Sequence, residues 1–175
     1  KPRQLSYQHK EAARKVINDL LEQGVIRPSR SPHATNIVVV NKKATNGEKQ
    51  HRVCVDLRQV NENSVPNRFP NYQIEDAMAK AQGAAYRTGF DFCNAFHQIV
   101  LDEASIPITA FFFDGKQYEF TRLPFGHIAA MNLFCNVMAL LCQHFPEVMY
   151  FADDMVVCTK VEPELSDDQL YMKHL

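Results

Sequence analysis

The stretch Val148-Met-Tyr-Phe-Ala-Asp-Asp-Met-Val-Val-Cys158 decides the fold. Two apolar, strand-prone runs, Val148 to Ala152 and Met155 to Cys158, flank the pair Asp153-Asp154, so the segment reads as strand, turn, strand with two carboxylates at the tip. Adjacent acids in a tight turn repel one another, and a divalent cation relieves that repulsion; Mg²⁺ takes one or two carboxylates together with waters and substrate phosphates. An ordinary Asp-Asp turn is the other reading, because aspartate is a common turn residue. A third acid separates the two.

Asp91 is that acid. It ends the apolar run Tyr86 to Phe90 and precedes the aromatic-rich Phe92-Cys-Asn-Ala-Phe96. If the two strands are neighbours in one sheet, three carboxylates stand at adjacent strand ends. That pattern suits two cations about 4 Å apart, one beside an attacking oxygen and one beside a leaving oxygen in phosphoryl transfer. The alternative for Asp91 alone is a strand-end cap.

Outward from this centre the chain alternates irregularly between helix and strand. Ala12, Val16, Ile17, Leu20 and Leu21 predict an amphipathic helix over residues 8–23, with Gly24 placed to stop it. Asn36 to Val40 and Arg52 to Val55 predict two strands joined through the Asn46-Gly47 turn, a hairpin made basic by Lys42, Lys43, Lys49 and His51. Pro66 and Pro70 punctuate a linker before a short helix over Ile74 to Ala81. A second hairpin runs from Ile108 to Phe113, through Asp114-Gly115, to Lys116 to Phe120. Residues 129–144 predict a buried helix whose shared face holds Met131, Phe134, Met138 and Leu141. The acidic run Glu162 to Asp168 reads as a frayed end or as the start of something cut off. Antiparallel hairpins mixed with helices favour an α+β fold over a doubly wound sheet.

The 175 residues carry 19 Lys+Arg against 20 Asp+Glu, and 46% of them are apolar, which describes one soluble unit or two small subdomains. The near-neutral total hides an asymmetry. Residues 1–60 hold 12 Lys/Arg and 5 Asp/Glu, net +7, and residues 61–175 are net −8. The first part suits phosphates and the second suits cations, two solvated faces being the plainer reading. Five cysteines without a Cys-x-x-Cys pair favour a reducing compartment over a disulfide framework. The longest apolar stretch, Met131 to Cys142, is broken by Asn132 and Asn136 and too short for a bilayer, and the first residues lack a signal-peptide layout, so no membrane partner is expected. Cys93 and His97 stand four residues apart, but with no second pair nearby they read as structural and not as a zinc site.

Five ordered blocks resemble the reverse transcriptases of gypsy-type LTR retrotransposons and of retroviruses. They are Leu20-Leu-Glu-Gln-Gly-Val-Ile-Arg-Pro-Ser29, Arg52-Val-Cys-Val-Asp-Leu-Arg58, Phe90-Asp-Phe-Cys-Asn-Ala-Phe-His-Gln-Ile99, Leu123-Pro-Phe-Gly126 and Phe151-Ala-Asp-Asp154. The resemblance covers residues 8–160. It implies a right-hand polymerase architecture without a thumb, with residues 1–66 and 99–129 as fingers and 67–98 with 130–175 as palm, a small antiparallel palm sheet being backed by helices. Asp91, Asp153 and Asp154 match the family's catalytic, metal-binding acids, which implies two Mg²⁺ ions, with Mn²⁺ as a substitute. Lys42, Lys43 and Arg52 match the hairpin that grips the triphosphate. Phe96 matches the aromatic beneath the sugar of the incoming nucleotide, where its ring would collide with a 2′-hydroxyl, and Phe125 matches a position lining the nucleotide pocket. Phe151 and Ala152 match contacts to the primer end.

The implied reaction is RNA-directed DNA synthesis, the partners being dNTPs and an RNA or DNA template-primer. The expected location is cytoplasmic, virus-like particles being one option within it. No thumb, connection or RNase H segment is expected after residue 160, which reads as a piece of a longer polyprotein or a stand-alone remnant. The sequence also departs from the family. Phe151 stands where tyrosine is usual, Ala152 where a branched residue is usual, Met131 at a proline position and Cys135 at a glutamine position. Those departures keep a second reading open, a domesticated, non-catalytic module that binds RNA or protein.

Overall fold

The computed structural model describes residues 5–42, 50–65, 78–79 and 81–175, with only the backbone described at 41–42 and 50–52. Lys43 and the Asn46-Gly47 turn lie outside the described residues. So does most of the expected helix over Ile74 to Ala81, of which Met78, Ala79 and Ala81 are helical. The chain divides into two compact units, Lys1–Pro66 with Phe96–Ala130, and Asn67–Ala95 with Met131–Leu175.

The first unit opens with α1 (Tyr7–Glu22), whose Ser6 side chain accepts a hydrogen bond from the His9 N–H at 3.3 Å. Gly24 ends it at a φ of 67°, a conformation that glycine adopts without strain. Next come β1 (Ile26–Pro28), β2 (Thr35–Lys42), β3 (Gln50–Val55), α2 (Arg58–Glu62), β5 (Phe111–Phe113) and β6 (Lys116–Phe120). The sheet order is β1-β6-β5-β2-β3, with β2 and β5 parallel and the other pairs antiparallel. Ala13 and Ile17 of α1 pack with Ile26, Ile37, Phe111, Tyr118 and Phe120 in one core. Burial of these side chains is the main source of the unit's stability.

The expected strand over Ile108 to Phe113 is shorter than the apolar pattern suggests. Ile106–Thr109 is instead a 3₁₀ turn with Pro107 near its start, and the Thr109 hydroxyl donates to the Ile106 carbonyl at 2.7 Å while accepting from the Phe120 N–H at 2.9 Å. A hydroxyl that satisfies the first carbonyl of the turn and an N–H of β6 competes with the ladder.

The second unit holds β4 (Ala84–Asp91), α3 from its second residue (α3 is Ala130–Cys142), β7 (Val148–Phe151), β8 (Asp154–Lys160) and α4 (Asp167–His174). Its sheet runs β4-β8-β7 and is antiparallel throughout. The expected buried face of α3 needs correction. Phe134 and Met138 are buried, joined by Cys135, whereas Met131 and Leu141 are exposed. Eleven apolar residues spaced all around a thirteen-residue helix exceed what one packing face covers, so periodicity alone could not choose among them. The acidic run is not a frayed end: it leads into α4, whose first two residues are Asp167 and Asp168. Ser166 and Gln169 form a reciprocal capping box, Asp167 and Asp168 complement the helix N-terminus, and Leu170 is buried. No helix among the described residues is long and apolar enough to cross a membrane.

Candidate active site

The acidic centre is built by the register of three strands in the second unit. β7 and β8 pair as Phe151↔Asp154, Tyr150↔Met155 and Met149↔Val156, so only Ala152 and Asp153 form the connecting loop. Asp153 lies in the turn, and Asp154 is already the first residue of β8, a refinement of the expected tip. β4 pairs with β8 on its other side as Phe90↔Met155 and Asp91↔Asp154. Beyond the ladder the Phe92 N–H donates to the Asp153 carbonyl at 3.2 Å. The backbone therefore ties all three acids to one end of one sheet.

Ala152 occupies a φ of 56°, where glycine is usual. Positive φ at the first of two loop residues, and not at the second, is the type II′ pattern that matches the twist of a hairpin. A non-glycine residue there stores about 1–2 kcal/mol. Cys135 of α3 lies behind this loop. Burial pushes its thiol pKa up, and an opposing hydrogen bond with the Ala152 backbone pulls it down. The adjoining Phe134 ring stands edge-on to Phe92 at 5.7 Å, which packs the helix under the residue that follows Asp91.

All three carboxylates are exposed, and none makes an ion pair or a side-chain hydrogen bond among the described residues. As donors they are hard oxygens, the type that Mg²⁺ or Mn²⁺ selects. Among the described residues no group of three or more His, Cys, Asp or Glu side chains gathers closely enough to hold a metal ion. The fit to a divalent cation thus rests on donor type and backbone register and not on a preformed cage.

The aromatic candidates lie in the first unit. Phe96, in the 3₁₀ turn Ala95–Gln98, stands 5.2 Å from Phe125 at an interplanar angle of 59°. Phe125 belongs to Leu123-Pro-Phe-Gly126, which turns at Gly126 with a φ of 90°. Asn61 of α2 clamps the segment after it, its Nδ2 donating to the Gly126 carbonyl at 2.8 Å and its Oδ1 accepting from the Ile128 N–H at 2.9 Å. Sequence reasoning missed Asn61. It sits in the polar run Arg58-Gln-Val-Asn-Glu, and its partner is 65 residues away. His97 was legible only as a poor zinc candidate, yet its ring packs against Phe125 and Phe120, with both nitrogens buried and without a hydrogen-bond partner among the described residues. Burial pushes its pKa below the ordinary histidine range.

Of the cationic candidates, Lys42 ends β2 opposite Gln50, and Arg52 lies in β3 opposite Val40. The backbone register brings these two positions onto one ribbon. Phe151 is exposed at the end of β7, beside Ala152.

Residues 40–173 match the family described as reverse transcriptase (RNA-dependent DNA polymerase). The retrovirus-related Pol polyprotein from transposon opus of Drosophila melanogaster is 40% identical over 144 residues, a match covering 81% of this chain and 14% of that protein. For the Pol polyprotein from transposon gypsy of the same organism the figures are 34% over 152 residues, 85% and 15%. The foamy viral protease-reverse transcriptase, solved in complex with an RNA/DNA hybrid, aligns with a TM-score of 0.80 at 26% identity, over 99% of this chain and 22% of that one. The chain spans a small part of the length of each.

Proposed function

The chain belongs to the reverse transcriptase (RNA-dependent DNA polymerase) family, and from that premise we propose that it is the nucleotidyl-transfer part of a Pol-type polyprotein, extending a primer 3′-hydroxyl with dNTPs on an RNA or DNA template. The single observation that carries the proposal is the Asp91↔Asp154 pair with Asp153 hydrogen-bonded in the adjoining turn. The transposon relatives are Pol polyproteins, and the foamy viral relative holds an RNA/DNA hybrid, which supports a nucleic-acid template-primer as the partner.

In this reading the five-stranded unit is the fingers and the three-stranded unit the palm. Asp91, Asp153 and Asp154 would hold two Mg²⁺ ions, or Mn²⁺ in their place. Bound there, the ions supply activation of an attacking oxygen and charge stabilisation at a leaving oxygen. The chain's own contributions are positional. β4, β8 and the Ala152-Asp153 loop hold the carboxylates at one sheet end, so that little reorganisation is needed when charge develops. Lys42, Lys43 and Arg52 bring cations to the triphosphate, arginine being suited to bidentate phosphate contact. Phe96 and Phe125 offer flat apolar surface to the sugar and base, and Phe151 and Ala152 meet the primer end. The site of action is a reducing, cytoplasmic compartment.

Primer extension on an RNA template, with the full-length polyprotein and its Asp153→Asn variant, tests the proposal. Metal-dependent extension by the parent and its loss in the variant support it, and a parent inactive with both Mg²⁺ and Mn²⁺ contradicts it.

A further inference from the structure

His97 lies next to Phe96 in the 3₁₀ turn of the first unit, and the catalytic reading gives it no role. Its imidazole carries two nitrogens that are sealed from solvent and lack a hydrogen-bond partner among the described residues. A phenyl ring would fill similar space without that desolvation penalty, so what the ring touches matters. It meets Phe125 edge-on, with centroids 4.8 Å apart and an interplanar angle of 73°, and it meets Phe120 at 6.0 Å and 36°. Phe120 is 5% exposed and belongs to the core of the first unit, whereas Phe125 is 39% exposed. Phe125 in turn leans on Phe96 at 5.2 Å.

The rings form a series from the core outward: Phe120, His97, Phe125, Phe96. The His97–Phe125 contact is edge-to-face, a geometry with a preferred angle, and the tilted Phe120–His97 and Phe125–Phe96 contacts on either side of it pass the restriction along by close packing. Asn61 clamps the backbone just after Phe125, and His97 meets the ring itself, edge-on from the side of the core. A neutral imidazole serves this purpose, since a charged one would have to be solvated.

We propose that His97 is a positioning residue for sugar selection, carrying the rigidity of the Phe120 core to Phe125 and so setting the angle at which Phe96 meets the sugar of the incoming nucleotide. The proposal rests on the assignment of Phe96 to the nucleotide site. It assigns the effect to the ring of His97 and not to its nitrogens.

Two variants separate these contributions: His97→Phe keeps a ring and removes the nitrogens, and His97→Ala removes both. In the full-length polyprotein, His97→Ala raises KM for dNTPs about fivefold, holds kcat within about twofold and relaxes discrimination against ribonucleotides about fivefold, while His97→Phe stays within about twofold of the parent on all three. The second readout is independent of activity. Aromatic NMR signals of Phe96 and Phe125 in the 175-residue chain move in His97→Ala and stay near the parent positions in His97→Phe. If His97→Ala does not fold, His97→Leu takes its place with the same expected pattern. Ring signals unmoved by loss of the imidazole, moved ring signals with unchanged discrimination, or a His97→Phe variant as impaired as His97→Ala would each overturn the proposal. If the parent polyprotein extends no primer, the polymerase reading fails, and the NMR comparison still decides whether His97 positions the two rings.

Discussion

Asp91, the last residue of β4, is paired in register with Asp154, the first residue of β8. The two acids are 63 positions apart in the chain and become strand neighbours only through the β4-β8-β7 sheet. A slip of one residue would turn one of them to the opposite face. The site is therefore as exact as the register, and the residues that hold the register are the ones to perturb.

The loop that closes the β7–β8 hairpin is strained at Ala152. Ala152→Gly relieves a left-handed alanine, offset by the greater freedom of glycine in the unfolded chain. A net gain of about 0.5–1 kcal/mol in stability is expected, read from the urea midpoint at constant slope. A lower midpoint would mean that the alanine side chain contributes packing that outweighs the strain.

Phe134 anchors α3 beneath the residue that follows Asp91 and is nearly inaccessible to solvent. Phe134→Ala leaves a cavity there, with an expected loss of about 3–5 kcal/mol. Denaturant unfolding followed by circular dichroism measures it, and a loss below about 1 kcal/mol would place the ring outside the core.

Acid sensitivity follows from two histidines of the first unit. Burial lowers the pKa of both His97 and His127, and the His127 Nδ1 accepts from the Ala129 N–H at 3.2 Å, a bond that protonation breaks. In the unfolded chain both titrate near pH 6.5, so below about that pH the unfolded state binds more protons than the folded one and stability declines as the pH falls. The salt-bridged Asp114 and the Ser105-bonded Asp102 have lowered pKa values, and their contribution is lost only below the ordinary aspartate range. Urea midpoints at about pH 7.5 and about pH 5.5 should differ less for His97→Phe than for the parent. Equal differences would show that His97 charges freely in the fold.

Phe96→Val tests sugar choice. If Phe96 lies beneath the sugar as proposed, removing its ring frees the space that a 2′-hydroxyl needs and raises ribonucleotide use relative to dNTP at least about tenfold, since about 1.4 kcal/mol of relieved clash gives that factor. Competitive incorporation by the full-length polyprotein reads the ratio, and an unchanged value would make Phe96 a packing residue alone.

Much of this arrangement is legible in the chain because the signals are local. Gly24 after an amphipathic run, and two β-prone segments around Asp153-Asp154, specify a helix stop and a hairpin without help from distant residues. The capping pattern of Ser166 and Gln169 was equally readable, and the acidic residues between them obscured it. Other features depend on contacts that no short window contains. Thr109 turns a predicted strand start into a 3₁₀ turn by bonding to Phe120, and Asn61 clamps Gly126 from another element. The choice of Phe134 and Met138 over Met131 and Leu141 depends on which side of α3 turns toward Phe92 and the Ala152 loop. The Asp91↔Asp154 pairing belongs to this class as well, since sequence suggests two strand ends and only the sheet makes them neighbours.

The central claim is that Asp91 and Asp154 act as one metal-binding pair. Its most direct test is primer extension by the full-length polyprotein carrying Asp91→Asn or Asp154→Asn, with thermal melting to show that each variant folds. Each substitution removes one ligand charge, and extension should fall below about a tenth of the parent rate in both, with the melting transition preserved. Folded variants that both extend primers faster than that would contradict the account.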